Sequence, residues 1–424
     1  MSFGALPGFR DFYPAELADR AHIFRAWREV ARRYAFVEYD GPPLESLELY
    51  TRKSGDEIVG QLYAFEDKGG RQVALRPEMT PTVARMVAAR ANALRKPVRW
   101  FSVPQLFRYE RQQKGRLREH FQLNVDIFGE DNSSADAELL AVAIDVMREL
   151  GLSSAEVKAR VSDRRLLNAV LDAIGVTAEQ RGAVYAVIDK LDRQPGDVSL
   201  AKLAEAGLNE HQAADVLALP ALTELQSVRD KFGDRSPLIH EITSNFDTYF
   251  SFLDALGVRA WVVLDLSIVR GLAYYTGIVC ELFDASGEFR AICGGGRYDE
   301  LLKAVGGPAM PALGFGMGDV VLGELLKARK RMPDSASHID YWIASEDGSV
   351  SIPVIELVTD CRRLGRSVEY ALRAQSPGKQ YKAAVAAGAC ALVVLQHDGR
   401  VLVRALDDSR SERDVLRHEF LDSA

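Results

Sequence analysis

Between Phe121 and Phe128 three polar residues, Gln122, Asn124 and Asp126, alternate with Leu123, Val125 and Ile127. A period of two puts the two sets on opposite faces of a strand, so this stretch belongs in a sheet that is apolar on one side and polar on the other. The polar face either meets water on an open sheet or lines the floor of a polar ligand pocket. Just upstream, residues 108–119 carry five cations against two acids in a loop between two strand-like runs. That loop reads either as a solvated charged hairpin or as a clamp for phosphates.

The surrounding sequence predicts an antiparallel sheet with flanking helices up to Leu150. Ile23, Trp27, Val30, Ala31 and Tyr34 recur at helical spacing over residues 18–34, and Pro42 and Pro43 close off any helix after them. Strands are expected over 73–76, 99–103 and 106–110. Residues 166–257 change character: helical patterns over 166–174, 181–191, 200–206 and 238–256 predict a helical insertion. Strand-like runs return at 261–265, 278–283 and 290–293, followed by a glycine turn and a helix over 298–305. The charged stretch 327–340, with Pro333, Asp334 and Ser335, is the best linker in the chain. Beyond it, strand and helix alternate through 339–344, 355–364, 367–370, 379–387 and 391–395, the pattern of a compact α/β module. The predicted organisation is a core over 1–330 carrying the insertion 166–257, and a second domain over 339–424.

At 424 residues, 47% of them apolar and 27% charged, the chain has the composition of a globular protein of two or three domains. No apolar run approaches the roughly 20 residues that cross a bilayer. Met1 to Phe12 lacks the features of a secretory signal, which predicts a cytosolic protein. Cys280, Cys293, Cys361 and Cys390 show no CxxC spacing and sit mostly in apolar segments, so buried thiols are expected. The seven histidines are scattered singly, and no metal site through side chains is expected. A net charge of −7 argues against coating nucleic acid by bulk charge, so any RNA contact is patchwise.

Three more clusters bear on chemistry. Residues 75–82, Leu-Arg-Pro-Glu-Met-Thr-Pro-Thr, carry an acid and two hydroxyls from a strand into a helix, where Thr80 or Thr82 serves either as a cap or as a ligand group. Residues 269–277 set Arg270 beside Tyr274 and Tyr275 between glycines, and aromatic pairs of this kind are usually core. The runs Gly294-Gly295-Gly296-Arg297-Tyr298-Asp299 and Gly314-Phe315-Gly316-Met317-Gly318 permit close approach of backbone to a ligand, but neither is a phosphate fingerprint.

Taken in this order, the clusters resemble the histidyl-tRNA synthetase family. Residues 107–119 resemble motif 2 of class II synthetases. Residues 269–277 resemble the histidine-specific signature, 295–301 its Gly-Gly-Arg-Tyr-Asp partner, and 75–80 the Arg-Pro-Glu-x-Thr segment. Pro42 sits where motif 1 places a dimer-interface proline, and 376–382 resembles the anticodon-binding domain. The resemblance implies an α+β class II fold with an antiparallel sheet core, acting as a homodimer that joins histidine to histidine tRNA with ATP and Mg2+. It implies catalytic roles for Arg108 and Arg270 at the α-phosphate, and ATP contacts from Arg108, Glu110 and Arg116. It further implies histidine contacts from Glu78, Thr80, Gln122, Asp126, Arg270, Tyr274 and Tyr275.

The sequence departs from the family at motif 3, where the usual Glu-Arg is missing: Gly318 is followed by Asp319, Val320 and Val321. Ala273 also replaces the signature aspartate, and His120-Phe121 stands where Phe-His is common. The loss of the arginine keeps a different class of function in view, the synthetase-like regulatory subunit of ATP phosphoribosyltransferase, which binds histidine without charging tRNA. A histidine sensor is a third reading.

Overall fold

The computed structural model describes all residues except 1–2, 52–59, 111–114, 116, 192–193, 270–274, 334–338, 408, 410 and 424. The chain divides into two compact units, residues 1–333 and 334–424.

The strands of the first unit are β1 (Val37–Glu38), β2 (Leu44–Ser46), β3 (Ala64–Glu66), β4 (Gln72–Leu75), β5 (Val98–Ser102), β6 (Gln105–Phe107), β7 (Glu119–Phe128), β8 (Val157–Asp163), β9 (Val262–Leu264), β10 (Ile278–Asp284), β11 (Cys293–Arg297) and β12 (Ala312–Gly318). Nine of them form one sheet in the order β1-β5-β7-β12-β11-β10-β8-β9, with β6 paired to β7 beside this path. Its centre is antiparallel, and only the outer pairs β1/β5 and β8/β9 run parallel. A small sheet, β2-β4-β3, stands apart.

The alternation in β7 positions the sheet. Leu123, Val125 and Ile127 join a large core with Phe315 and Met317 of β12, under the helices Pro14–Arg33, Ser133–Glu149 and Asp319–Ala328. The opposite face is apolar only at one end, where Phe128, Ala312 and Tyr298 pack beneath the helix Thr80–Arg90. The rest of that face is left for polar groups.

Among the described residues six α-helices lie between β8 and β9: Arg164–Ile174, Arg181–Ile188, Gly196–Glu205, Glu210–Leu217, Leu225–Phe232 and Pro237–Ala255. Sequence patterning finds four of these. The other two are two-turn helices with few buried residues; Glu210–Leu217 starts from a capping box of Asn209 and Gln212 and buries Asp215, which Lys231 and Arg235 neutralise at 3.0 and 3.2 Å. A short helix that buries a charge leaves little apolar period to read.

Other sequence expectations are corrected. The glycines at 294–296 are not a turn but the middle of β11, which starts only at Cys293, and the helix after it is the single turn Leu301–Ala304. Neither Thr80 nor Thr82 caps a helix: Met79 is the capping residue, Thr80 is already helical, and buried Thr82 meets the Tyr50 hydroxyl at 3.4 Å. Three cysteines are buried, but Cys390 is exposed.

The second unit has strands β13 (Ile339–Ser345), β14 (Val368–Tyr370), β15 (Ala389–Leu395), β16 (Arg400–Ala405) and β17 (Glu412–Leu416), in the order β14-β13-β15-β16-β17. The first three are parallel and the last two extend the sheet antiparallel. The helix Ile352–Arg363 covers one face and Pro377–Ala386 the other. No described helix is long and apolar enough to cross a membrane.

Candidate active site

The polar half of the main sheet is the floor of a cavity of about 360 Å³. Cross-strand register explains its shape. Val279, Gly296, Gly314 and Asp126 stand side by side across β10, β11, β12 and β7, and Glu281, Gly294, Gly316 and Asn124 form the next row. Residues opposite one another share a face, so the middle of the floor is bare backbone between a carboxylate on one flank and polar groups of β7 on the other. Side chains from β7 occupy part of the space the glycines leave. A Cβ at Gly316 would meet the Gln122 amide at 2.7 Å, and one at Gly314 would run into the Asp126 carboxylate. Among the described residues, a Cβ at Gly294 would meet only Glu281 Cγ at 3.8 Å, and one at Gly318 nothing. As far as these residues go, the floor is open over Gly294 and Gly318.

Around this floor the structure brings together Glu78, Thr80, Arg108, Glu110, Gln122 and Tyr275. Arg108 Nε donates to the Pro77 carbonyl at 2.8 Å, tying the guanidinium to the segment that carries Glu78 and Thr80. Arg76, in contrast, is a structural residue: it is buried and bridges the Gln105 carbonyl, the Asp40 carboxylate and the Gly41 carbonyl. Arg116, Arg270 and Tyr274 lie outside the described residues.

Asp126 is one layer deeper than the sequence reading implies. It is absent from the cavity surface, and its Oδ1 accepts from the hydroxyl of Tyr298, a residue that does line the cavity. Its Oδ2 is buried without a hydrogen-bond partner. Burial pushes its pKa up from 3.8 to about 7, against the Tyr298 hydrogen bond, which lowers it. Because the folded state keeps this proton to about pH 7 while the unfolded chain releases it near 3.8, the native state binds more protons across that window. Stability from this group is full below about pH 4 and is lost as pH rises through 7. Asp126→Asn is expected to flatten that dependence: urea midpoints at pH 5 and pH 8 should differ less in the variant than in the unsubstituted protein. Equal differences would show that Asp126 titrates normally.

Sequence reasoning left several contributors without a role. His120 lines the cavity and is kept neutral, because burial and then the nearby cations Arg108 and Arg10 lower its pKa to about 3. Asn124 donates to the Gln122 carbonyl at 3.2 Å. Tyr298 lay in the glycine motif, and its link to Asp126 depends on a contact 172 residues apart. The period-two pattern was the only available signal for Asn124. The two charged residues of that motif are structural: Arg297 pairs with Asp136 at 2.5 Å, and Asp299 accepts from the Thr276 hydroxyl at 2.8 Å and the Ala312 amide at 3.1 Å.

The family profile described as histidyl-tRNA synthetase matches residues 8–318, which contain every element of this cavity except its edge at Val320 and Val321. The chain belongs to the histidyl-tRNA synthetase family. This synthetase is 41% identical to the histidine–tRNA ligase of Opitutus terrae over 99% of its own length and 97% of that protein. It is 38% identical to the chloroplastic/mitochondrial histidine–tRNA ligase of Arabidopsis thaliana, covering 94% of this chain and 82% of that one. The crystal structure of histidyl-tRNA synthetase from Nostoc sp. PCC 7120 superposes with a TM-score of 0.85 at 21% identity, over 100% of this chain and 99% of that one, and shows the same class II α+β fold.

Proposed function

We propose that this synthetase activates histidine with ATP to histidyl-adenylate and transfers the histidyl group to the 3′ end of histidine tRNA. The observation that carries this reading is the open glycine floor with Arg108 and Glu110 on its rim and the β7 polar column, backed by Asp126 and Tyr298, along one side. A triphosphate lies naturally on bare backbone beside a guanidinium, and an imidazole needs polar partners on both nitrogens.

In the first step a histidine carboxylate oxygen attacks the α-phosphorus, the bond to the β-phosphate oxygen breaks, and pyrophosphate leaves. Negative charge gathers at the α-phosphate, where Arg108 and Arg270 neutralise it while Arg116 holds the outer phosphates. Glu110 accepts from the adenine amino group. Glu78, Thr80, Gln122, Tyr274 and Tyr275 hold histidine, and Asp126 acts on the imidazole end through the Tyr298 hydroxyl. A site with these groups buried rejects side chains that leave them unpaired. In the second step a terminal ribose hydroxyl of tRNA attacks the carbonyl carbon of the adenylate and AMP departs.

Mg2+ travelling with ATP is held mainly by phosphate oxygens and needs one or two carboxylates. Glu281, facing the open floor at Gly294, suits that role, and among the described residues no cluster of three ligands forms an all-protein cage. The ion would offset phosphate charge. A homodimer is supported by exposed Val37 and Leu44 on edge strands that flank Pro42 in the chain, and the second unit is the candidate for anticodon contacts. The regulatory-subunit reading is not favoured, since relatives named as ligases match nearly the whole chain, second unit included.

The test is histidine-dependent exchange of labelled pyrophosphate into ATP, followed by charging of histidine tRNA. Histidine binding without exchange would return the protein to the regulatory class. The floor can be probed separately. Gly294→Val is expected to fold normally, because a β-branched side chain suits a strand and the Cβ fits, yet to lower kcat/KM for ATP on the order of 100-fold by displacing the phosphates. An unchanged KM and kcat would remove Gly294 from the floor.

A further inference from the structure

The family's motif 3 arginine is replaced here by Val321, a buried residue in the apolar core at the end of the cavity. The cavity nevertheless has a second guanidinium at that end. Among its described lining residues the arginines are Arg108 and Arg290.

Arg290 comes from the turn between β10 and β11, and the turn is anchored on both sides of it. Phe289 packs on the main core, and buried Ile292 donates its amide to the Leu282 carbonyl at 2.8 Å. The point where a side chain on Gly115 would begin is 3.4 Å from Val321 Cγ2, 3.8 Å from Arg290 Cδ and 3.9 Å from Glu324 Oε2, so a carboxylate also borders this point. The stem of Arg290 therefore reaches the place that Val321 faces, between Gly115 and the floor at Gly294 and Gly318. Gly115, Gly294, Gly318, Val321 and Arg290 all border the same cavity.

We infer that Arg290 binds the outer phosphates of ATP and supplies the cation that position 321 lacks. A charge lost from the helix after β12 is provided by a different element that meets the same space. Such a relocation costs the protein little, because a guanidinium on a long stem can approach a phosphate from several directions and still form two charge-assisted hydrogen bonds. It also accounts for the apolar residue at 321, which is free to complete the core beneath the helix Asp319–Ala328.

This inference rests on the cavity being the ATP site, and the experiment separates the two. Steady-state pyrophosphate exchange would be measured for Arg290→Ala, Arg290→Lys and Arg108→Ala, with unfolding midpoints as a control on folding; Arg290 is exposed, so its variants should fold. The expected result for Arg290→Ala is a KM for ATP raised roughly 10- to 100-fold with the KM for histidine unchanged, and partial recovery in Arg290→Lys. Calorimetry should show weaker ATP binding with AMP binding unchanged. An ATP KM within twofold of the unsubstituted enzyme, or equal losses for ATP and AMP, overturns the role of Arg290. If Arg108→Ala also leaves exchange unaffected, the assignment of the cavity itself fails.

Discussion

Replacing Arg297 with alanine is expected to destabilise the catalytic unit by about 3–5 kcal/mol, the usual cost of removing one partner from a buried ion pair. Arg297 is largely buried and reaches Asp136 at 2.5 Å, the Glu130 carbonyl at 2.9 Å and Asp299 at 3.5 Å. It thereby fastens β11 to the entrance of the helix Ser133–Glu149, on the reverse side of the cavity floor. Alanine would leave the Asp136 carboxylate buried, and burial already raises its pKa against the pull of Arg297. Urea unfolding should show the loss, and Asp136→Ala should lose a similar amount. The double replacement Arg297→Met with Asp136→Leu should recover much of it, because no charge is then left unpaired. A loss under about 1 kcal/mol in Arg297→Ala would mean that water reaches the pair.

Arg108→Ala is expected to cut pyrophosphate exchange by roughly 10²- to 10³-fold, the range seen when one donor to a developing oxyanion is removed. Its effect should fall on kcat, since the charge it faces grows on the way to the transition state. Stability should change little, because the side chain makes one hydrogen bond, to the Pro77 carbonyl, at the cavity rim. Arg108→Lys should recover only a minor part, as an ammonium cannot reproduce the planar fork. Activity within tenfold of the unsubstituted enzyme would place the reacting phosphate elsewhere.

The two arginines differ in how far their roles were legible. Arg108 belongs to a cationic loop beside an alternating strand, which by charge alone reads either as a solvated hairpin or as a phosphate clamp; the resemblance to motif 2 points to the clamp. Arg297 sits in a glycine motif that the resemblance marks as a signature, without saying that the arginine is turned away from the cavity to Asp136. The partner that decides this, Asp136, is 161 residues away in the chain.

Much of the site was legible because its residues are local in sequence. Gln122, Asn124 and Asp126 share a face wherever β7 is placed, since side chains alternate along any strand. The apolar period of the N-terminal helix, the helical insertion and the charged break before residue 339 follow from composition and spacing in the same way. Glycine in isolation signals bends, so the sequence predicts a turn at 294–296; the place of these glycines in a strand comes from neighbours on both sides that need a close backbone.

By itself, then, the sequence determined which strands have two faces, where helices interrupt them and where a cationic loop adjoins an alternating strand, all consequences of short-range periodicity and charge. Only the tertiary structure decided that Asp126 lies beneath Tyr298, that Arg297 braces the floor from behind, and that Arg290 stands beside Val321. Each of these depends on strands and turns distant in the chain meeting across a sheet, where register and burial, rather than spacing, set which groups touch and which remain charged.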